Sequence, residues 1–176
     1  RPLLRLLESE AAPVELRFQN VMLAAEERAG LNVFACHHLT PGPMRRPAWL
    51  QHPNGALRIA GVTIVASEPA PLVRLAEQLV GSAAIARTDG VFAVHAGRTP
   101  LLLANPEDAA LLHFNLDLSV GRPEPDLAVL EIAVRDPGLT ARFLADQGIP
   151  CRRDGAVLLV DPPHATGVNL AFTPAR

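Results

Sequence analysis

Histidine and cysteine side chains concentrate near residues 36–52, where they could bind a metal. Cys36 and His38 are two positions apart in an apolar segment typical of a strand, so they share one face, whereas His37 faces the other. Together with His52 they would supply three donors to a soft metal site. The alternative is a strand end and proline-rich loop whose histidines bond the backbone. Metal sites of this kind usually have clear spacing motifs, so the alternative is favoured.

Glu131 is the second candidate, because it is a lone carboxylate in an apolar segment, residues 128–134. Such a carboxylate could act as a general base or bind a ligand, with a pKa raised by its low-dielectric surroundings. The alternative is a structural carboxylate at a strand edge or paired with an arginine such as Arg152. Buried carboxylates are rarely left unpaired, which favours the structural interpretation.

Composition removes several classes of chemistry. All sixteen positively charged residues are arginine, and the chain has no lysine and no tyrosine, so Schiff-base and tyrosine acid–base catalysis are excluded for these 176 residues. Gly-x-Ser-x-Gly, P-loop and dinucleotide-binding motifs are also absent from the sequence. The net charge of −2, without a basic run, predicts neither a nucleic-acid nor a membrane partner.

A duplicated unit positions these residues. Each copy has a strand (59–66, then 128–134), an acidic residue followed by proline, and a helix that ends at a glycine. Equivalent positions in the two copies are always 68 residues apart, as Ala60 and Ala128 are. Further strands are predicted at 83–88, 91–95 and 100–104 in the first copy, and at 150–153, 156–161 and 168–173 in the second. The pattern predicts two β-α-β-β-β modules and an α+β fold.

The remaining segments are assigned more simply. Residues 2–10, 14–23 and 31–38 are predicted strands, which would be the last three strands of a further, truncated module covering residues 1–40. Residues 41–56 form a proline-rich linker, with Trp49 expected to be buried as a packing anchor. Paired modules would occupy 57–176, as 57–120 and 127–176. Within the first, residues 105–110 are expected to form a turn or short helix and 111–120 an extended segment, followed by a polar link at 121–126.

The repeated β-α-β-β-β pattern resembles the vicinal oxygen chelate superfamily, whose paired modules form a glyoxalase/dihydroxybiphenyl dioxygenase-like cupped sheet. A bacterial glyoxalase-like subgroup is similar in more specific stretches: Cys36-x-His38-Leu39-Thr40-Pro41, Arg46-Pro47-x-Trp49, His52-Pro53-Asn54-Gly55-Ala56, and the ending from Asp161 to Pro174. Chains of that subgroup carry four modules. The resemblance therefore implies the end of module two followed by modules three and four, with the N-terminal modules outside this sequence.

The resemblance also implies metal positions, which this sequence fills with residues that cannot bind metal. The histidine positions of the family pattern fall on Gly61 and Val129, and the glutamate positions on Leu101 and Ala171. Zinc, iron and manganese sites need several converging N, O or S donors. We therefore expect neither a metal nor another cofactor in these modules; a divalent metal would have to be held by the N-terminal modules outside the sequence.

Strand alternation extends the set of side chains that would face the cup. We expect a small-molecule ligand there, in a mostly hydrophobic pocket lined by Leu101, Val129 and Ala171, with Thr63, Glu131 and Asn169 as its polar groups. The chain would then be a small-molecule-binding or non-catalytic half. The alternative is a metal-dependent lyase, isomerase or dioxygenase with its active site in the N-terminal modules, and a third option is a structural scaffold for that half.

Location and assembly are less constrained by the sequence. The two cysteines, Cys36 and Cys151, fit free thiols in a reducing compartment, and we expect a cytoplasmic protein. No apolar run reaches membrane-spanning length, and the first residues lack the layout of a signal peptide. A homodimer is compatible with these features.

Overall fold

The computed structural model describes residues 2–7, 13–23, 29–31, 33–113, 115–116, 118 and 125–175. The chain divides into two compact units, Arg1–Gln51 and His52–Arg176. None of the helices in the described part of the chain is long and apolar enough to cross a membrane. The predicted link at 121–126 and the predicted strand residues 8–10 lie largely outside the described residues.

The first unit contains one antiparallel sheet. Its strands are β1 (Pro2–Leu7), β2 (Val14–Met22) and β3 (Phe34–His38), in the order β1-β2-β3. All three predicted strands are therefore present, with β3 starting later than predicted. The described residues of this unit include a single buried hydrophobic side chain, Leu16, so the sheet has very little core of its own.

The proline-rich segment after β3 forms two short 3-10 turns, Gly42–Met44 and Pro47–Trp49. The expectation that Trp49 is buried is wrong, because 53% of its surface is exposed. Its ring instead stacks under the guanidinium of Arg46, which lies 4.7 Å from the ring centroid. A cation–π contact of this kind stabilises an indole at the surface without a core around it.

The second unit contains both predicted modules. The first module has β4 (Ala56–Val65), α1 (Ala70–Val80), β5 (Ile85–Thr88), β6 (Val91–Val94) and β7 (Leu101–Ala104). After α2 (Pro106–Leu112), the second module has β8 (Asp126–Val134), α3 (Pro137–Asp146), β9 (Arg152–Asp154), β10 (Val157–Val160) and β11 (Asn169–Pro174). The β-α-β-β-β order is thus realised twice, and the predicted α+β fold class is confirmed.

Both modules contribute to one eight-stranded sheet, in the order β5-β6-β7-β4-β8-β11-β10-β9. The first strand of each module pairs in parallel with its last strand, β4 with β7 and β8 with β11. The modules join through the antiparallel pair β4–β8. The strand order is therefore symmetric about this pair, as expected for a duplicated unit.

Local signals in the sequence account for the helix boundaries. α3 begins after Asp136, whose carboxylate accepts a hydrogen bond of 2.7 Å from the backbone N–H of Gly138, with Pro137 at the first helical position. α1 also has proline in its first turn, and it stops at Gly81, whose φ of 85° is a left-handed conformation that favours glycine.

The helix α2 corrects one expectation, since residues 111–120 were predicted to be extended and the helix continues to Leu112. Asn105 caps it: its side-chain oxygen accepts a 2.8 Å hydrogen bond from the backbone N–H of Asp108. Pro106 at the first position and two acidic residues in the first turn favour the helix further.

The two faces of the sheet differ in what covers them. On one face, Leu144 of α3 packs in a buried cluster with residues of β8, β10 and β11, namely Val134, Leu158, Val160 and Phe172. The opposite face is called the pocket face here, and it carries Thr63, Val129, Glu131 and Ala171. Ala109 of α2, which is fully buried, packs in the cluster on this face. The helix α2 therefore covers part of the pocket face.

Candidate ligand-binding site

A cavity of about 200 Å³ remains open on the pocket face beside α2. Its floor includes Glu131, Leu159 and Ala171 of the central strands. Leu112, His113 and Leu116 form the wall that follows α2, and Asp154 and Val157 the wall from the β9–β10 hairpin. The site is therefore mainly apolar, with polar groups at separate points on its lining.

Strand register explains why the floor residues meet. Leu159 pairs with Ala171, Ala171 pairs with Glu131, and Glu131 pairs with Gly61. Residues paired across neighbouring strands share a face, so these four form one row across β10, β11, β8 and β4. The duplicated fold thus places a lone carboxylate in the middle of the sheet, between small or apolar neighbours.

The carboxylate of Glu131 lies over Gly61. A Cβ added at Gly61 would be 3.2 Å from both Cδ and Oε2 of Glu131, so the missing side chain leaves the space that the carboxylate occupies. Glu131 is partly buried and forms no ion pair with any described residue. β8 is a central strand, so Glu131 is not at a sheet edge either.

Arg152, the predicted structural partner of Glu131, interacts with other residues instead. Arg152 forms a salt bridge of 2.9 Å with Asp161 and donates a 3.0 Å hydrogen bond to the backbone carbonyl of Asn115. Arg152 is therefore not the partner of Glu131, and the central place of β8 rules out a strand-edge position.

Thr63 and His113 form the second polar feature of the site. Thr63 Oγ1 and His113 Nε2 share a hydrogen bond of 2.9 Å, and Thr63 is only 1% exposed. Burial lowers the pKa of His113 below its ordinary value of 6.5, because desolvation disfavours the charged imidazolium. The imidazole on the cavity wall is therefore neutral at pH 7.

The segment after α2 is anchored at both ends. At the helix, the carboxylate of Asp108 occupies the space where a Cβ of Gly90 would lie, so α2 and the β5–β6 turn are in close contact. Beyond the helix, the side chain of Asn115 donates a hydrogen bond to Asp154. These contacts hold His113 in place over the pocket face.

The predicted site residues divide into three groups. Glu131 and Ala171 line the cavity. Thr63, Val129 and Asn169 lie on the same face but are buried, with exposed fractions of 1%, 0% and 2%. Val129 belongs to the cluster that includes Ala109 of α2, and Asn169 donates a 3.1 Å hydrogen bond to the carbonyl of Ala128.

Leu101 lies on the opposite face, and this corrects its predicted place in the cup. It pairs with Val62, whereas Leu102 pairs with Thr63. Alternation along a strand then puts Leu102, and not Leu101, on the pocket face. A turn glycine precedes the last strand in each module, five residues before Leu102 (Gly97) but four residues before Ala171 (Gly167), so placement by that glycine selects Leu101 instead of Leu102.

The residues at the metal positions of the family pattern do not fit a metal. On the pocket face these positions hold Gly61, Leu102, Val129 and Ala171, which have no donor side chains. The described residues contain no group of three or more His, Cys, Asp or Glu side chains arranged to bind a metal ion. The structure thus offers no donor set for the divalent metal that the resemblance implies.

The three donors considered for a soft metal site belong to different units, Cys36 and His38 to the first and His52 to the second. His38 Nδ1 contacts the sulfur of Met44 at 3.1 Å and packs edge-on against Phe18. His52 belongs to the second unit, where its ring lies 6.5 Å from that of Phe143. Cys36 and Cys151 are free thiols.

His113 is the site residue that sequence reasoning missed. Its partner Thr63 lies 50 positions earlier, so no spacing in the sequence connects the two residues. The available signal was indirect: the capping residues 105–108 predict a helix that ends near His113.

Comparison with known proteins supports the fold. No family model matches the chain, and no curated protein matches it. A hypothetical protein from Staphylococcus aureus has a similar structure, with a TM-score of 0.56 at 9% identity over 99% of this chain and 55% of that protein. Methylmalonyl-CoA epimerase from Mycobacterium tuberculosis gives a TM-score of 0.47 at 19% identity, over 72% of this chain and 93% of the epimerase.

Methylmalonyl-CoA epimerase from Streptomyces coelicolor, in complex with 2-nitronate-propionyl-CoA, gives a TM-score of 0.43 at 17% identity. That alignment covers 68% of this chain and 99% of the epimerase. At such identities the similarity concerns the fold alone.

Proposed function

We propose that the second unit binds a small organic molecule in the cavity on its pocket face, without a metal held by its own side chains. The observation that carries this proposal is Glu131: a partly buried carboxylate on a central strand, over Gly61, without an ion pair among the described residues. Removing a carboxylate from water is unfavourable unless a partner compensates it. A ligand is the partner that the site leaves room for.

Size and lining support a small ligand. The cavity of about 200 Å³ is below the roughly 300–1,000 Å³ typical of sites for drug-sized molecules. An apolar lining interrupted by a few polar groups is typical of small-molecule sites. We therefore propose a ligand with a compact apolar body and one or two hydrogen-bonding groups, one of which contacts Glu131.

The first unit supports a second candidate function. Its three antiparallel strands have the same connectivity as β5-β6-β7 and β9-β10-β11, which in the second unit are each completed by a parallel strand and a helix. We propose that residues 1–40 are the equivalent part of another module and 41–56 its linker. A metal-dependent lyase, isomerase or dioxygenase with its site in such further modules is then the alternative function.

The module proposal is tested with two fragments. Residues 52–176 contain nearly all of the buried hydrophobic side chains described, so this fragment should fold alone and give dispersed NMR resonances. Residues 1–51 should not, since Leu16 is the buried hydrophobic residue of its described part. A stable fold for 1–51 in isolation would contradict its assignment as part of a larger module.

Ligand-observed NMR with a fragment library tests the binding proposal. Val157→Trp should block the cavity from its partly buried rim and abolish the signals of fragments that bind wild-type protein. Leu79→Trp is the control, because Leu79 is 51% exposed on α1. Fragments that bind Val157→Trp as well as wild type would contradict the proposed site.

A further inference from the structure

We infer that the ligand is an organic cation, an apolar body that carries a protonated amine; this inference rests on the proposed small-molecule function. Two carboxylates, Glu131 and Asp154, line the cavity. The lining includes no arginine, and its only other titratable side chain is His113, which is neutral at pH 7. The described lining therefore carries negative charge and no positive charge.

The arginines nearby do not cancel this charge within the cavity. Arg152 is beside Asp154, but its guanidinium is held by Asp161 at 2.9 Å and by the carbonyl of Asn115 at 3.0 Å. Arg58 is exposed to solvent and lines an adjoining cavity, which shares Glu131, Val157 and Thr173 with this one. It forms no ion pair with Glu131 among the described residues.

The geometry favours an amine over other cationic groups. The described lining contains no Phe, Tyr or Trp side chain, so it offers no aromatic cage for a quaternary ammonium. Attraction must come from carboxylate oxygens, which accept hydrogen bonds from N–H groups. Leu112, Leu116 and Leu159 then supply an apolar wall for the body of the ligand. Partial burial reduces screening, so an anion of the same shape is repelled.

Three probes with one apolar body test this inference: 3-phenylpropylamine, 3-phenylpropan-1-ol and 3-phenylpropionate. Each is titrated into the whole 176-residue protein at pH 7 and low salt, and affinity is read from shifts of the backbone resonances of the cavity residues. The amine should bind at least tenfold more tightly than the alcohol, and the carboxylate should not bind measurably. Glu131→Gln should remove most of this preference.

The control is Asp146→Asn, which removes an exposed carboxylate at the end of α3 and should preserve the tenfold preference. Equal affinities for amine and alcohol, or tighter binding of the carboxylate, would overturn the cation inference while the alcohol still reports a small-molecule site. An undiminished preference in Glu131→Gln would also overturn it. If none of the three probes shifts the cavity resonances, both the inference and the proposed function are contradicted.

Discussion

The carboxylate of Glu131 rests over Gly61 in the neighbouring strand, with 3.2 Å between its Cδ and the place where a Cβ of residue 61 would lie. Contacts between Cβ atoms and other groups are rarely so close, so even alanine at this position would move the carboxylate by a few tenths of an ångström. Gly61 is therefore a positioning residue for Glu131.

Gly61→Ala should accordingly lower the affinity of the cavity for the amine probe by a few fold, with a change in unfolding free energy within about 1 kcal/mol. The small effect on stability follows because the end of a flexible side chain can shift. Titration and urea denaturation measure the two quantities. Gly42→Ala is the matched control, since a Cβ there meets nothing within 4 Å. Unchanged affinity in Gly61→Ala would contradict the positioning role.

Thr63→Val tests the hydrogen bond that holds His113. The substitution keeps the shape of a residue that is 1% exposed but leaves His113 Nε2 without its 2.9 Å partner. We expect a loss of about 1–2 kcal/mol of unfolding free energy, measured by urea denaturation. Thr173→Val is the control, because the Thr173 hydroxyl has no hydrogen bond to the described residues and lines the same cavity. Equal losses in both variants would show that the Thr63–His113 bond contributes nothing specific.

Burial of His113 predicts a pH dependence of stability. The pKa of His113 in the folded protein is lower than the ordinary value of 6.5. At a pH between the folded pKa and 6.5, the unfolded chain therefore binds a proton at His113 and the folded chain does not. The stability is therefore fully present above pH 6.5 and is lost as the pH falls through the folded pKa. Wild type should lose more stability than His113→Gln between pH 7.5 and pH 5.

The control for this difference is His95→Gln, which removes an exposed histidine. Thermal or urea denaturation of the three proteins at several pH values, under otherwise constant conditions, measures the effect. Parallel pH profiles for wild type and His113→Gln would show that His113 titrates in the folded protein as it does in the unfolded chain.

The sequence was informative where local signals and repetition agree. The offset between residues 60 and 128 located both modules, because duplicated strands and helices retain their hydrophobic pattern and closing prolines. Asp136 with Pro137, and Gly81, marked helix ends through local backbone chemistry. Glu131 was visible as a charge inside an apolar strand.

The remaining features depend on distant contacts. Where α2 covers the pocket face, the carboxylate of Asp108 lies against Gly90, and the sequence does not show that these residues meet. The partnership of Thr63 with His113 follows from that docking. Leu101 was assigned to the wrong face because the loops before the last strands of the two modules are unequal. A shift of one residue along a strand moves each side chain to the opposite face of the sheet. Hydrophobic patterns cannot detect such a shift where consecutive residues are all leucine.

Equilibrium urea denaturation of Glu131→Gln tests most directly whether this carboxylate serves to bind a ligand or to stabilise the fold. Because Glu131 forms no ion pair with the described residues, replacing its partly buried charge by a neutral amide should leave the unfolding free energy unchanged or raise it by up to about 1 kcal/mol. A loss of about 3 kcal/mol or more, as for a broken buried ion pair, would contradict the account and assign Glu131 to the structure of the fold.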